Sequence, residues 1–342
     1  MRVAIVNDSL FAVDCLRKIV ISGGHNVAWI AHNGVEAVAA CLIDRPDIIL
    51  MDLYMPEMNG IEATRQIMSQ AACPVLVVTS DVQQHAARTF EAMGQGALDA
   101  VNTPQLGLSG DLLGGQELLH KISIIRSLTQ DMNVSESANV VRDTKQFQPP
   151  AVPLIVIGAS SGGPAVLATI LSALPETLQA AIIIVQHVDE RFADELALWL
   201  DEQSKLKVRI AVKGDAPVVG EVLIAKTNDH LVLNSESRIS YCSNPVDKVY
   251  RPSVDVFFDS IHKHWSGNVI ALMLTGMGAD GAEGLLKLHS SGVTTLVQNK
   301  ESCAVYGMPK AAVKLGAADL VITPEEMIDQ ILSWVGKVWV KV

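Results

Sequence analysis

Three residue types that together perform acyl-transfer chemistry each follow a short apolar run in the C-terminal half of this chain. Gly158-Ala159-Ser160-Ser161-Gly162-Gly163-Pro164 comes directly after Leu154–Ile157, and Gly158 to Gly162 reads G-x-S-x-G. Between a strand and a helix, that spacing forms a nucleophile elbow. Small residues let the backbone turn sharply and lift the Ser160 hydroxyl above the sheet, and amides at the helix start stabilise a developing oxyanion. Gln186-His187 follows the run Ala181–Val185, and Thr275-Gly276-Met277-Gly278-Ala279-Asp280-Gly281 follows Val269–Leu274. A serine nucleophile, a histidine base and a carboxylate to orient the histidine are thus placed at the carboxyl ends of core strands, where open α/β sheets form their crevice. The order Ser160…His187…Asp280 is not the Ser…Asp…His order of α/β-hydrolases, so such a triad is an independent solution. A serine-rich helix cap accounts for Ser160 alone, and a lone histidine is more often structural; neither accounts for three triad types at three strand ends. G-x-G-x-x-G and G-K-[ST] are both absent, against a dinucleotide or P-loop site. His262 and His264 form an H-x-H pair, but two residues apart on a helix their side chains diverge, against a metal role.

The N-terminal half carries a different chemistry. Asn7-Asp8 follows the run Arg2–Val6, Asp52 follows Ile48–Met51, and Thr79 ends the run that starts at Val75. Asp8 and Asp52 at the same sheet edge bring together oxygen anions suited to a hard cation such as Mg²⁺. A carboxylate beside Mg²⁺ and a hydroxyl can accept a phosphoryl group, because the metal offsets the arriving charge. Helix caps are the plainer account of each residue singly.

These side chains need elements to hold them. Strands are expected at 2–6, 26–31, 48–51, 75–78 and 97–101, alternating with helices at 10–21, 36–43, 61–68, 86–93 and 117–128. That alternation predicts a parallel sheet covered on both faces. A second α/β series gives strands at 154–157, 181–185, 208–211, 222–225, 231–233, 269–274 and 294–297, with helices at 165–174, 192–200, 256–262, 284–290 and near 327–335. Between Thr129 and Pro153 the pattern gives way to polar residues punctuated by Pro149, Pro150 and Pro153, which is linker chemistry. The division expected is a first domain at 1–125, a linker at 126–151 and a second domain at 152–342.

Composition narrows the classes. With 342 residues, two domains are the natural count. Against 26 Lys and Arg stand 37 Asp and Glu, a formal net charge of −11, so the chain lacks the basic footprint of a nucleic-acid binder. Hydrophobic residues make up 49 % and charged ones 18 %, ample for packed cores. Unbroken apolar runs such as Ala180–Val185 fall far short of the ~20 residues of a membrane span, and Asn7-Asp8 interrupts the N-terminus too early for a signal peptide. Five cysteines without a C-x-x-C pair read as reduced, structural thiols, and the expected location is cytoplasmic.

Val6-Asn7-Asp8-Ser9, Leu50-Met51-Asp52-Leu53-Tyr54-Met55-Pro56 with Asn59-Gly60, Val77-Val78-Thr79-Ser80 and Asn102-Thr103-Pro104 resemble a response-regulator receiver domain. The resemblance implies a flavodoxin-like fold with a five-stranded parallel sheet and a phosphoacceptor at Asp52. It also implies Mg²⁺ held by Asp8, Asp52 and the Tyr54 carbonyl, and a switch hydroxyl at Thr79. The pattern departs from the family at three places. Receivers usually have two adjacent acids where this chain has Asn7-Asp8, a lysine where it has Thr103, and commonly an aromatic where it has Ala100.

Ile157-Gly158-Ala159-Ser160-Ser161-Gly162-Gly163, Gln186-His187, Arg251-Pro252-Ser253-Val254-Asp255, Leu274-Thr275-Gly276-Met277-Gly278-Ala279-Asp280-Gly281 and Gly307-Met308-Pro309 resemble the catalytic domain of the chemotaxis-type protein-glutamate methylesterases. Receiver, linker and esterase in this order is that family's architecture, and the resemblance implies a doubly wound, mostly parallel α/β catalytic domain. It further implies hydrolysis of glutamate methyl esters on chemoreceptors, deamidation of receptor glutamines, an oxyanion site near Ser161 and Met277, and a histidine kinase as phosphodonor. It also implies that the unphosphorylated receiver restrains the esterase. The Asn7 and Asn102-Thr103-Pro104 features are closer to the surface-sensing, Wsp-type branch. Two other classes stay open on the residues alone: a phosphorylation-controlled binding module without turnover, and a small-molecule carboxylesterase fused to a receiver.

Overall fold

The apolar runs that lack polar alternation become the inner strands of two parallel sheets, because only a strand buried on both faces can be apolar throughout. The computed structural model describes residues 1–80, 86–106, 112–130, 152–188, 190–226, 228–246, 248 and 250–340. The chain divides into two compact units, Met1–Val134 and Ser135–Val342.

The first unit runs β1 (Arg2–Val6), α1 (Leu10–Ser22), β2 (Asn26–Ala31), α2 (Gly34–Ile43), β3 (Ile48–Met51), α3 (Gly60–Ala71), β4 (Val75–Thr79), α4 (Ala86–Gly94) and β5 (Asp99–Asn102). A two-residue antiparallel pair, β6 (Gln105–Leu106) and β7 (Leu112–Leu113), precedes α5 (Gly115–Gln130). Strand order is β2-β1-β3-β4-β5 with every neighbour parallel, the flavodoxin-like order expected. Three helices start on side-chain caps: Ser9, Asn33 and Asn59 accept from the amides of Ala12, Glu36 and Glu62. α5 continues to Gln130, five residues into the span expected to be linker; residues 131–151 lie outside the described residues.

The second unit runs β8 (Leu154–Ala159), α6 (Gly163–Ala173), β9 (Ala181–Gln186), α7 (Ala193–Gln203), β10 (Lys207–Ile210), β11 (Glu221–Ile224), β12 (His230–Leu233) and β13 (Ile239–Cys242). It continues with α8 (Val254–His264), β14 (Val269–Met273), α9 (Ala282–Ser290), β15 (Thr294–Gln298), α10 (Met308–Lys314), β16 (Leu320–Ile322) and α11 (Pro324–Val340). Seven strands form one parallel sheet ordered β10-β11-β9-β8-β14-β15-β16, while β12 and β13 form a separate antiparallel hairpin. From β8 the chain winds outward through β9 to β11 and β10, then returns to β14 and winds the other way. The order therefore reverses between β8 and β14, and the crevice of such a sheet opens beyond their carboxyl ends.

α8 locks that end of the sheet. Val254, Phe257, Phe258 and Ile261 recur at helical spacing on its inner face and are all at most 1 % exposed. Gly158 at the end of β8 and Gly281 after β14 leave room for Val254. A Cβ on Gly281, whose φ is +89°, would lie 2.5 Å from Val254 Cγ1. The first turn of α8 is thereby drawn against the carboxyl ends of β8 and β14. His262, Lys263 and His264 occupy its last turn, where positive charge suits the helix dipole. No group of three or more His, Cys, Asp or Glu able to hold a metal occurs among the described residues.

Candidate active site

Ser160, His187 and Asp280 follow β8, β9 and β14, three adjacent strands beside the reversal of strand order. The elbow at Ser160 turns through Gly162, whose φ of +77° is left-handed and whose Cβ would lie 2.5 Å from that of Ala304. Only glycine enters that conformation at little cost. The Ser160 amide donates to the Thr275 carbonyl at 3.0 Å, and the Ser160 carbonyl accepts from the Gly163 amide at 2.8 Å. Gln186 ties the nucleophile to the base: its Nε2 donates to the carbonyls of Ser160 (2.8 Å) and His187 (2.9 Å).

His187 Nε2 lies 2.9 Å from Asp280 Oδ2. The Asp280 carboxylate also accepts from Ser253 Oγ at 2.7 Å, from the Val254 amide at 2.7 Å and from the Asp255 amide at 3.2 Å. Burial alone would push its carboxyl up, but the bond from His187, that histidine's charge and the donors at the start of α8 bring it down to about 2. An ionised carboxylate only accepts, so the proton it meets is carried on Nε2, and in the neutral imidazole the lone pair is then on Nδ1. Nδ1 is buried without a hydrogen-bond partner among the described residues. This is the reverse of the commoner arrangement, in which the carboxylate takes Nδ1. Tyr250 stacks on the ring, with centroids 4.2 Å apart and planes within 8°.

The segment after β14 closes over the serine. A Cβ at Gly276 would lie 2.8 Å from Ser160 Cβ, so Met277 begins directly beside the nucleophile. Ser161 and Met277 are 9 % and 5 % exposed, and neither backbone amide donates to any described group. Thr275 Oγ1 bonds the Ser161 carbonyl at 2.9 Å, and Gln298 Oε1 accepts from the Thr275 amide at 2.7 Å. The geometry brings His187 and Asp280 into direct contact and Ser160 beside them through Gln186; the bond from Ser160 Oγ to the imidazole is not formed, as is common before substrate binds.

In the first unit, Asp8 follows β1, Asp52 follows β3 and Thr79 ends β4. Burial pushes the Asp52 carboxyl up to about 6, against the pull of the Tyr54 and Leu53 amides and with a further rise from Asp8. Asn7 Nδ2 donates to Asp52 Oδ2 at 3.0 Å, so the residue that stands where receivers usually have a second acid takes hold of Asp52 itself. Thr79 Oγ1 is buried and unpartnered among the described residues. The Thr103 amide donates to the Thr79 carbonyl at 2.8 Å, which fixes Thr103 beside the end of β4. Lys121 pairs with Asp99 at 2.7 Å.

The model of the CheB methylesterase family matches residues 155–331, and that of the response regulator receiver domain matches residues 3–105. Protein-glutamate methylesterase/protein-glutamine glutaminase 3 of Pseudomonas aeruginosa is 45 % identical over 96 % of this chain and 97 % of its own length. Protein-glutamate methylesterase/protein-glutamine glutaminase 4 of Burkholderia thailandensis is 47 % identical over 98 % of both. The chain belongs to the CheB methylesterase family. Its receiver match precedes its CheB methylesterase match along the chain. The crystal structure of the CheB methylesterase catalytic domain of Thermotoga maritima matches 53 % of this chain and 97 % of its own, with a TM-score of 0.50 and 35 % identity.

Within this CheB-type fold, reading strand ends located Ser160, His187 and Asp280 but missed the groups that hold them. Ser253 lies inside the string Arg251–Asp255, Tyr250 stands just before it, and Gln186 is the chain neighbour of His187; the sequence pattern gives none of them a role of its own. Each could have been suspected as a polar or aromatic residue abutting a triad member or an apolar helix start.

Proposed function

We propose that this protein removes methyl groups from glutamate methyl esters of chemoreceptors and deamidates receptor glutamines, under control of phosphorylation at Asp52. The observation that carries this reading is the buried, unpartnered Nδ1 of His187, whose other nitrogen is bound to an ionised Asp280 beside the strand-end Ser160. Ser160 Oγ attacks the γ-carbonyl while Nδ1 takes its proton. Asp280 stabilises the imidazolium and keeps the proton of Nε2 in place. The free amides of Ser161 and Met277 receive the oxyanion. The tetrahedral intermediate collapses to an acyl-enzyme as His187 returns the proton to the leaving methanol, or to ammonia from glutamine. Water then attacks, Nδ1 again accepts a proton, and glutamate and Ser160 are released.

In the receiver, two carboxylates and the Tyr54 carbonyl offer oxygen donors that suit Mg²⁺. Asp8, Asp52 and Tyr54 would hold the ion. When bound, it would supply charge neutralisation for phosphoryl transfer from a histidine kinase to Asp52. Thr79 Oγ1 is the hydroxyl available to the phosphoryl group. Among the described residues no helix is long and apolar enough to cross a membrane, which fits action in the cytoplasm. Asn7 and Asn102-Thr103-Pro104 favour the surface-sensing branch of such pathways.

The test is methanol release from a methylated receptor fragment, compared with hydrolysis of simple esters. Release from the receptor that disappears in Ser160→Ala supports the reading. Hydrolysis of simple esters alone makes the protein a small-molecule esterase, and binding without turnover makes it a non-catalytic module.

A further inference from the structure

We propose that Ser253 is a positioning residue for Asp280, acting as a fourth member of the catalytic set; the inference rests on the functional reading above. The Asp280 carboxylate is gripped at both oxygens. Oδ2 receives His187 Nε2 and the Val254 amide, and Oδ1 receives Ser253 Oγ and the Asp255 amide. Three of these donors belong to one turn, residues 253–255. With Oδ1 held on that side, Oδ2 is aimed at the imidazole. Without the Ser253 hydroxyl, Oδ1 keeps only the 3.2 Å bond from the Asp255 amide while Oδ2 keeps that from the Val254 amide, so the carboxylate plane is held less firmly toward Nε2.

Ser253 is itself fixed. It is fully buried, and its amide donates to Nδ1 of His230 at 3.0 Å. His230 is fully buried too and donates through Nε2 to the Pro245 carbonyl at 3.0 Å. A fixed backbone leaves the hydroxyl to choose its acceptor. The plainer role of Ser253 is to cap α8, where its Oγ accepts from the Val256 amide at 3.4 Å. The 2.7 Å bond to the carboxylate is the shorter and charge-assisted one, so the hydroxyl proton is committed to Asp280. Cap and positioning use opposite ends of the same O–H group and are compatible.

The experiment uses the full chain with Ser253→Ala and Ser253→Thr. Methanol release from a methylated receptor fragment gives kcat and KM, and proton NMR of histidine-labelled protein reads the low-field resonance of His187 Nε2–H. Ser253→Ala should lower kcat about tenfold, the effect of one hydrogen bond to a charged group, with KM within about twofold. The His187 resonance should move upfield or broaden. Ser253→Thr, which keeps the hydroxyl, should restore both. An unchanged resonance and kcat in Ser253→Ala would overturn the proposal, as would a threonine variant as impaired as the alanine one. If the wild type releases no methanol yet the resonance responds to Ser253→Ala and recovers in Ser253→Thr, the functional reading fails and the link from Ser253 to Asp280 stands.

Discussion

At the residue scale, the assignment of Nδ1 as the base makes the three side chains one unit with separable roles. Ser160→Ala should abolish methanol release, with a loss on the order of 10⁴–10⁶ in rate, while the thermal melting midpoint stays near that of wild type. Ser161→Ala should cost far less, because the oxyanion role proposed for Ser161 uses its backbone amide, which alanine keeps. His187→Ala should be nearly as severe as Ser160→Ala, and the double variant should be no slower than the worse single one; a much slower double variant would mean that His187 serves some other group. Asp280 adds a signature in stability. Its folded value near 2 lies below the ordinary carboxylate range, so its contribution is present above about pH 4 and is lost as pH falls through about 2. Between those limits wild type should lose more stability than Asp280→Asn. Urea denaturation followed by tryptophan fluorescence, in the wild type and in Asp280→Asn, reads this, since four of the five tryptophans, Trp199, Trp265, Trp334 and Trp339, lie in the second unit and Trp29 contributes equally to both proteins. Equal losses would show that the carboxylate gains nothing from its donors. The strand-end rule made Ser160, His187 and Asp280 legible. The nitrogen that serves as base was not, because it depends on which side of the imidazole the start of α8 delivers Asp280.

At the element scale, the site depends on glycines that let helices and strands approach. Gly162 combines a left-handed backbone with contact against Ala304, and the turn it forms sets where Ser160 points. Gly162→Ala should destabilise the second unit by about 1–2 kcal/mol from the backbone alone and lower kcat well beyond what the fraction folded explains. Measuring kcat and the melting midpoint together separates these effects, and full activity in a folded variant would show that the elbow tolerates another geometry. The same packing logic explains what the sequence concealed. Helix and strand interiors were read from periodicity, whereas β13, α10 and β16 were missed. β13 carries polar Ser240 in a short hairpin strand, α10 starts at Met308-Pro309 in a motif rich in turn residues, and β16 is an exposed edge of three residues. None has the uniform burial that made the inner strands visible. α8 was expected from Val256, but it begins at Val254 because the Ser253 cap and the docking of Val254 extend it by two residues.

At the scale of the whole molecule, two acidic units share one chain: residues 1–151 carry a formal charge of −6 and residues 152–342 one of −5. Docking on carboxyl-rich receptor helices therefore gains nothing from charge steering, and control has to come through the receiver. That receiver departs from its family at the positions that read the phosphoryl group. Asn7 removes one negative charge near the ion and donates to Asp52, so Mg²⁺ should bind more weakly than in a receiver with two adjacent acids. Thr103 cannot pair ionically with phosphoryl oxygens, which removes a charge-assisted bond of about 1.5–3 kcal/mol. Ala100 leaves no large ring to turn if Thr79 Oγ1, unpartnered among the described residues, engages the phosphoryl group as proposed. Phosphorylation at Asp52 should therefore occur but shift the protein between its states by a smaller free energy than usual, because a ligand moves an equilibrium only by its differential interaction with the two states. Esterase activity measured with and without a kinase or small phosphodonor should rise modestly in wild type, stay flat in Asp52→Ala and rise more strongly in Thr103→Lys. Equal, large activation of wild type and Thr103→Lys would mean that another group does the work of the lysine. No difference between wild type and Asp52→Ala would mean that phosphorylation at this position does not switch the enzyme.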